Sequence, residues 1–250
     1  RGVAHAYEAG HVVLAGIDLD IADGERVALV GVSGSGKTTL AKIVAGFHAP
    51  TAGTITVGGA ELAALGPTAV RRAVALVTQE VHVFAGPLAE DLRLAAPEAA
   101  DGRLVAALEQ AGARDWMERL PDGLATVVGA GGVTLTAAQA QQVALARLAL
   151  VDPLVAVLDE ATAEAGSAGA RELEAAADRV LAGRTALVVA HRLTQAQRAD
   201  RIVVLEAGRV VEEGTHAALL EAGGAYAALW SVWSAGRQSS SSGHSPERSQ

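Results

Sequence analysis

Cysteine is absent from this 250-residue chain, which excludes disulfide frameworks and thiolate chemistry and fits a reducing compartment. Aromatic residues make up only 3% of it, so core volume has to come from valine, leucine and isoleucine. Lysine is nearly missing: Lys37 and Lys42 are the only two, and arginine supplies the rest of the positive charge. That pattern reads as biased genomic composition. The formal charge of −8 argues against the basic stripe of a nucleic-acid binder, so no nucleic-acid partner is expected. No apolar run reaches the length of a membrane span; VALARLALV (143–151) is short and carries Arg147. No signal-peptide pattern opens the chain, and its first residue is Arg rather than Met, so a longer parent protein is expected. The length suits one large domain or two small ones. The Ser-rich segment GRQSSSSGHSPERSQ (236–250) is expected to be a disordered tail.

What is present alternates between strand and helix patterns. HVVLAGIDLDIADGERVALVG predicts strands ending at Gly31, followed by a Gly-rich loop and a helix over KTTLAKIVAGF. TAGTITVGG reads as a short hairpin and AVALVTQ (73–79) as a strand ending on Gln79. From about Phe84 to Leu150 the pattern turns helical, punctuated at Pro97, Gly102, Gly112 and Pro121. Strands resume with PLVAVLDE (153–160), TALVVAH (185–191), RIVVLEAG (201–208) and RVVEEG (209–214), interleaved with the helices RELEAAADRVLAG and HAALLEAG. Buried strands alternating with helices predict a mostly parallel α/β sheet, split in sequence by a helical insertion.

GVSGSGKT (31–38) matches G-x-x-x-x-G-K-[ST] between a predicted strand and a predicted helix, the context that the motif's mechanics require. Its glycines let backbone N–H groups turn toward phosphate oxygens, and the helix behind them adds its positive end. Gly31, Ser33, Gly34, Ser35, Gly36, Lys37, Thr38 and Thr39 are the candidate nucleotide contacts. Lys37 would reach the β- and γ-phosphates and the Thr38 hydroxyl would ligate Mg²⁺. VAVLDE (155–160) ends in two adjacent carboxylates. Asp159 can hold the metal through water and Glu160 can polarise an attacking water; two solvated acids capping the next helix is the plainer alternative. His191 closes TALVVAH and would reach the same sheet edge, although a lone histidine is usually structural. Gln79 could bring an amide oxygen to the metal. Tyr7 could stack on an adenine ring or be a half-exposed strand tyrosine, and the residues alone do not choose.

In order and spacing these pieces resemble, across residues 3–233, the nucleotide-binding domain of an ABC transporter of the exporter type. VFAGPLAEDLRLA (83–95) and RDWMERLPDGLATVVG (114–129) resemble its exporter segments, and QVALARLALVDPLVAVLDEAT follows the family nearly in register. The resemblance implies a RecA-like P-loop ATPase core with an N-terminal antiparallel β-subdomain and an inserted α-helical subdomain. The ATPase domain would span 1–235, with core and antiparallel sheet in 1–83 and 152–235 and the helical part in 84–151. It implies ATP and Mg²⁺, with Tyr7 stacking on adenine and Thr38, Gln79 and Asp159 around the metal. Glu160 would be the catalytic glutamate, His191 the switch histidine and Gln79 the glutamine-loop residue. The implied partners are a transmembrane domain fused upstream and a second ABC ATPase domain, at the cytoplasmic face of the cell membrane.

Departures from the family lie on the surfaces offered to a partner. Where the family carries Leu-Ser-Gly-Gly-Gln, this chain has Leu135, Thr136, Ala137, Ala138 and Gln139, which the resemblance implies would grip the partner's nucleotide in trans. Thr136 keeps a hydroxyl, but the two alanines add methyl groups and disfavour left-handed φ values. Ala130, Ala140 and Gly166 stand where the family has Glu, Arg and an interface Asp. An asymmetric heterodimer is therefore expected, with a homodimer of modest activity as the alternative. A soluble ABC ATPase without a transport role, an ATP-sensing module and an importer ATPase are the other readings.

Overall fold

The computed structural model describes residues 1–8, 10–159, 167–190 and 192–241. Strands β1 (Val3–Ala6) and β2 (Val12–Ile17) pair antiparallel. β3 (Arg26–Val30) then delivers the Gly-rich loop to α1 (Lys37–Val44). That helix stops short of the expected Phe47 because Gly46, at φ 75°, turns the chain left-handed, and Phe47 N donates back to Lys42 O at 2.9 Å. A hairpin of β4 (Thr56–Val57) and β5 (Ala60–Glu61), the helix α2 (Pro67–Ala73) and β6 (Val74–Val77) follow.

Between β6 and the next core strand lies the insertion: β7 (Gly86–Pro87), α3 (Leu88–Arg93), α4 (Asp101–Gln110), α5 (Arg114–Met117), β8 (Val127–Val128) and α6 (Ala137–Val151). Gly102, expected to punctuate, falls inside α4 as its second residue, in the first turn where a helix has least to lose from glycine. α6 is built almost wholly of strong helix formers and ends at Asp152, left-handed at φ 49°, ahead of Pro153. The two segments that resemble exporters meet directly, since β7 pairs with β8 and Leu88 N donates to Thr126 O at 3.0 Å.

The core resumes with β9 (Val155–Asp159), α7 (Ser167–Leu181), β10 (Thr185–Val189), α8 (Leu193–Gln197), β11 (Arg201–Glu206) and β12 (Arg209–Gly214). It closes with α9 (His216–Ala222) and α10 (Ala225–Ser241). The six-stranded sheet has the order β12-β11-β3-β10-β9-β6, parallel except for the β11–β12 hairpin at its edge. Its central strands are buried on both faces, with side chains alternating between two cores. Val27 and Leu29 of β3 pack with α1 and the β1–β2 pair, while Ala28 and Val30 pack with Leu219 and Tyr226 of α9 and α10. Ala156 and Leu158 of β9 face the core shared with the insertion and α7.

The segment from Gly236, expected to be disordered, is helical as far as Ser241. α10 is anchored earlier by Tyr226, which is fully buried, and once nucleated the helix propagates at one hydrogen bond per residue into the serines. Residues 242–250, the rest of that expected tail, lie outside the described residues. So do Glu160, Gly166 and His191.

Candidate nucleotide site

The sheet places the predicted residues on one edge. Val189 of β10 stands beside Asp159 of β9, and Val77 of β6 beside Leu158. The chain therefore leaves β3 at Gly31, β9 at Asp159 and β6 toward Gln79 on the same carboxyl side, where open parallel sheets bind ligands. Glu160 and His191 follow Asp159 and Ala190 directly in sequence.

The Gly-rich loop is held by the strands around it. Gly31 has φ 149°, and a Cβ there would lie 2.2 Å from Leu205 O. Gly36, at φ 103°, caps α1, and a Cβ on it would meet Leu14 Cδ2 at 2.7 Å and Val13 O at 3.1 Å. The β11–β12 turn buttresses the loop from behind, with Gly208 N donating to Ser35 O at 3.1 Å. Ser35 is buried, whereas Ser33 and Gly34 are exposed at the tip. No side chain hydrogen bonds across the N-cap of α1 and no acid sits in its first turn, so the positive end of the helix is offered to an anion.

Lys37 is buried, and its Nζ donates to two carbonyls of its own loop, Gly31 O at 2.8 Å and Val32 O at 2.9 Å. The adjacent Thr38 Oγ1 donates to Asp159 Oδ1 at 3.1 Å, tying α1 to the end of β9. A hydroxyl and a carboxylate at that distance suit a hard cation that takes oxygen ligands. Among the described residues no group of three or more His, Cys, Asp or Glu side chains could hold a metal. A cation here would need further ligands, and phosphate oxygens and water are what magnesium commonly takes.

Tyr7 is 54% exposed, and its hydroxyl lies 3.2 Å from Thr39 Oγ1 on α1. Its ring stands nearly perpendicular to His5 and His48, at centroid distances of 4.8 and 5.6 Å. The structure thus brings Tyr7 to the phosphate-loop helix and leaves much of the ring open. Gln79 is half-buried, two residues beyond the end of β6.

Leu135 to Gln139 form the start of α6. Thr136 is its N-cap at φ −67° and ψ 162°, its side chain accepts from Gln139 N at 3.3 Å, and Gln139 Oε1 accepts from Thr136 N at 2.8 Å. This is a complete capping box. Ala137 and Ala138 are the first helical residues, and the only non-glycine positive-φ positions among the described residues are Asp152 and Ala207. The expected conformational penalty at Ala137 and Ala138 is therefore corrected: the helix start never asks for left-handed backbone, so only their methyl volume is left to matter. Ala130 is exposed on the turn before it.

Three features went unseen in the sequence. The Gly208 turn behind the loop and the Thr39 hydroxyl under Tyr7 join residues far apart in the chain. Gln141 and Gln142 of α6 are both buried, and Gln142 bridges Trp116 Nε1 and Gly112 O at 2.8 and 2.7 Å. Two adjacent glutamines inside an apolar helix were the available signal.

Residues 14–163 match the family model described as ABC transporter. The chain is 44% identical over 219 residues to an ATP-dependent lipid A-core flippase of Chromobacterium violaceum, covering 88% of this chain and 38% of that protein. It is also 44% identical over 231 residues to a multidrug efflux ATP-binding/permease protein of Mycobacterium bovis, covering 92% of this chain and 19% of that one. Among solved structures, a bacterial Atm1-family ABC exporter with ATP bound superposes with a TM-score of 0.84 at 32% identity, over 98% of this chain and 42% of that one. The chain thus spans less than half the length of each of these relatives.

Proposed function

This chain belongs to the ABC transporter family and has its ATPase-domain fold, and from that premise we propose that it hydrolyses Mg-ATP to power export across a membrane. The observation that carries the reading is the loop itself: Lys37 held by two loop carbonyls at an uncapped helix start, beside the Thr38–Asp159 contact. Backbone N–H groups of 33–38 and Lys37 would bind the phosphates, and Tyr7 would carry the adenine. Thr38 and Asp159, with Gln79 from the next strand end, would hold Mg²⁺, which neutralises charge developing on the phosphates. Glu160 would accept a proton from the attacking water, whose oxygen bonds to the γ-phosphorus as the bond to the β–γ bridging oxygen breaks. His191 would contact the γ-phosphate from the neighbouring strand end. The products are ADP and inorganic phosphate.

Relatives named as a flippase and as an efflux ATP-binding/permease protein support export, as do the paired segments around β7 and β8. A membrane-spanning domain would come from the rest of a longer protein, which would set this domain at the cytoplasmic face of the membrane. No helix among the described residues is long and apolar enough to cross one. A second ABC ATPase domain would face this one head to tail, with the start of α6 closing over the partner's nucleotide. Methyl groups at Ala137 and Ala138 would weaken that grip on both sites of a homodimer but on only one site of a heterodimer, which supports a heterodimer. The intact capping box and helical start favour the second reading, a homodimer of modest activity.

Lys37→Ala is expected to weaken ATP binding by about 100-fold, the equivalent of losing one charge-assisted phosphate contact. Calorimetry on the purified chain checks it, and unchanged affinity would remove the assignment. Glu160→Gln should keep binding and nearly stop hydrolysis, because the amide preserves size but takes no proton.

A further inference from the structure

Gln141 stands one turn into α6, about 6 Å along the helix from Ala137 at its start. It is 4% exposed. Its Nε2 donates to Thr78 O at 3.1 Å and to Gln79 O, the two carbonyls that follow the last residues of β6. Its Oε1 is buried with no hydrogen-bond partner. The amide orientation follows from chemistry, since the reverse would point oxygen at two carbonyl oxygens. A buried glutamine with half of its amide unsatisfied is a poor choice for stability, because an apolar residue would avoid that cost. The donor half is what the position uses.

The same helix grips the chain further along. Arg147 donates to His82 O at 3.0 Å and pairs with the buried Asp91, which accepts from Phe84 N at 3.0 Å. The run from Thr78 to Phe84 is thus strapped to α6 at both ends, and Gln79 is the residue at the nucleotide end.

We propose that Gln141 is a positioning residue that fixes Gln79 at the metal side of the nucleotide by tying its backbone to α6. The inference rests on the ATPase reading above. Gln141 acts through the backbone of Thr78 and Gln79, so removing it should have no effect once Gln79 has lost its amide.

The test uses the full chain and follows slow hydrolysis of radiolabelled Mg-ATP, with nucleotide affinity by calorimetry and the thermal midpoint measured alongside. Gln141→Met keeps length and removes both donors. Gln141→Glu keeps shape and turns an acceptor toward two carbonyls. Each should lower kcat by about 10-fold, with ATP affinity held within about twofold. In a Gln79→Ala background, Gln141→Met should change kcat by less than about twofold, since the two residues act as one unit. Multiplicative losses in the double variant, or an unchanged kcat per folded molecule in Gln141→Met, would overturn the proposal while leaving the ATPase reading intact. If Lys37→Ala leaves both the Mg-ATP affinity and the hydrolysis of the chain unchanged, the ATPase reading falls and this inference with it.

Discussion

Two helix starts would offer N–H groups to phosphate in the proposed function, and they are built in opposite ways. α1 is entered through a loop with positive φ at Gly31, Gly34 and Gly36, and its N-cap carries no side-chain hydrogen bond. α6 is entered through extended backbone at Thr136, whose hydroxyl takes the N–H of Gln139 in a reciprocal capping box. At α1 the glycines answer to the protein's own chain, because a Cβ on Gly31 would lie 2.2 Å from Leu205 O. At α6 Ala137 and Ala138 take ordinary helical positions. Glycine is therefore required by folding at the first site. At the second it would serve only to give a ligand room. An alanine in the signature is consistent with a sound domain and a weakened grip on a partner's nucleotide, both at once.

That contrast breaks or stands on matched substitutions. Gly31→Ala should be the most damaging, costing about 1–3 kcal/mol for the overpacking that pushes Leu205 and the β11–β12 turn off the loop. In a chain of this size each kcal/mol lowers the melting temperature by roughly 2–4 °C, and ATP binding should fall with it. The combined change Thr136→Ser, Ala137→Gly and Ala138→Gly should leave the affinity of the chain's own site unaltered. It should raise turnover of the self-paired chain if the methyl groups are what limits the trans contact. Calorimetry and a steady-state ATPase assay read the two effects. Equal loss of affinity from both sets of substitutions would erase the distinction.

Tyr7 sharpens the first half of the comparison. If it carries the adenine, Tyr7→Ala should weaken ATP binding by about 1–3 kcal/mol, which is roughly 5- to 150-fold, whereas Tyr7→Trp keeps an aromatic face and most of the affinity. The tryptophan variant loses the 3.2 Å hydroxyl contact to Thr39, so any residual deficit measures that bond. Identical affinity in all three proteins would return Tyr7 to a strand tyrosine.

How much of this could be read from the chain depends on the range of the interaction. β3, β9, β10 and β11 were legible because strands buried on both faces leave continuous apolar runs such as VAVLD and TALVV. The phosphate loop was legible because its motif, strand and helix are contiguous. Gly102 misled, since a glycine in the first turn of α4 resembles a break. Residues 236–241 misled because serine composition carries no record of the anchored helix before them. Gln141 reaches Gln79 across 62 residues, and no periodicity encodes which turn of α6 will face the end of β6.

The smallest expected effect concerns the far ends of the strands that frame the loop. Glu25 precedes β3, which ends at Val30 just before Gly31, and Arg201 opens β11, which ends beside the Gly208 turn. Arg201 Nε donates to Glu25 Oε1 at 2.7 Å, and this hydrogen bond, more than the charge alone, holds the Glu25 carboxyl below its ordinary value. Burial opposes it and loses. A carboxylate whose folded pKa lies below its unfolded one adds stability that is complete above the unfolded value, about 4.3, and is lost as pH falls through the folded value. Stability should therefore decline below about pH 4.3 partly through this pair. Glu25→Gln should flatten that acid limb in denaturant titrations while costing little near neutrality beyond the lost charge on the bond. Thr136→Ala should lower stability by about 1 kcal/mol through the cap and leave the pH slope unchanged, because the capping box contains no titrating group. A pH slope that followed the α6 substitution instead would move the acid-sensitive element from the Glu25–Arg201 pair to the start of α6.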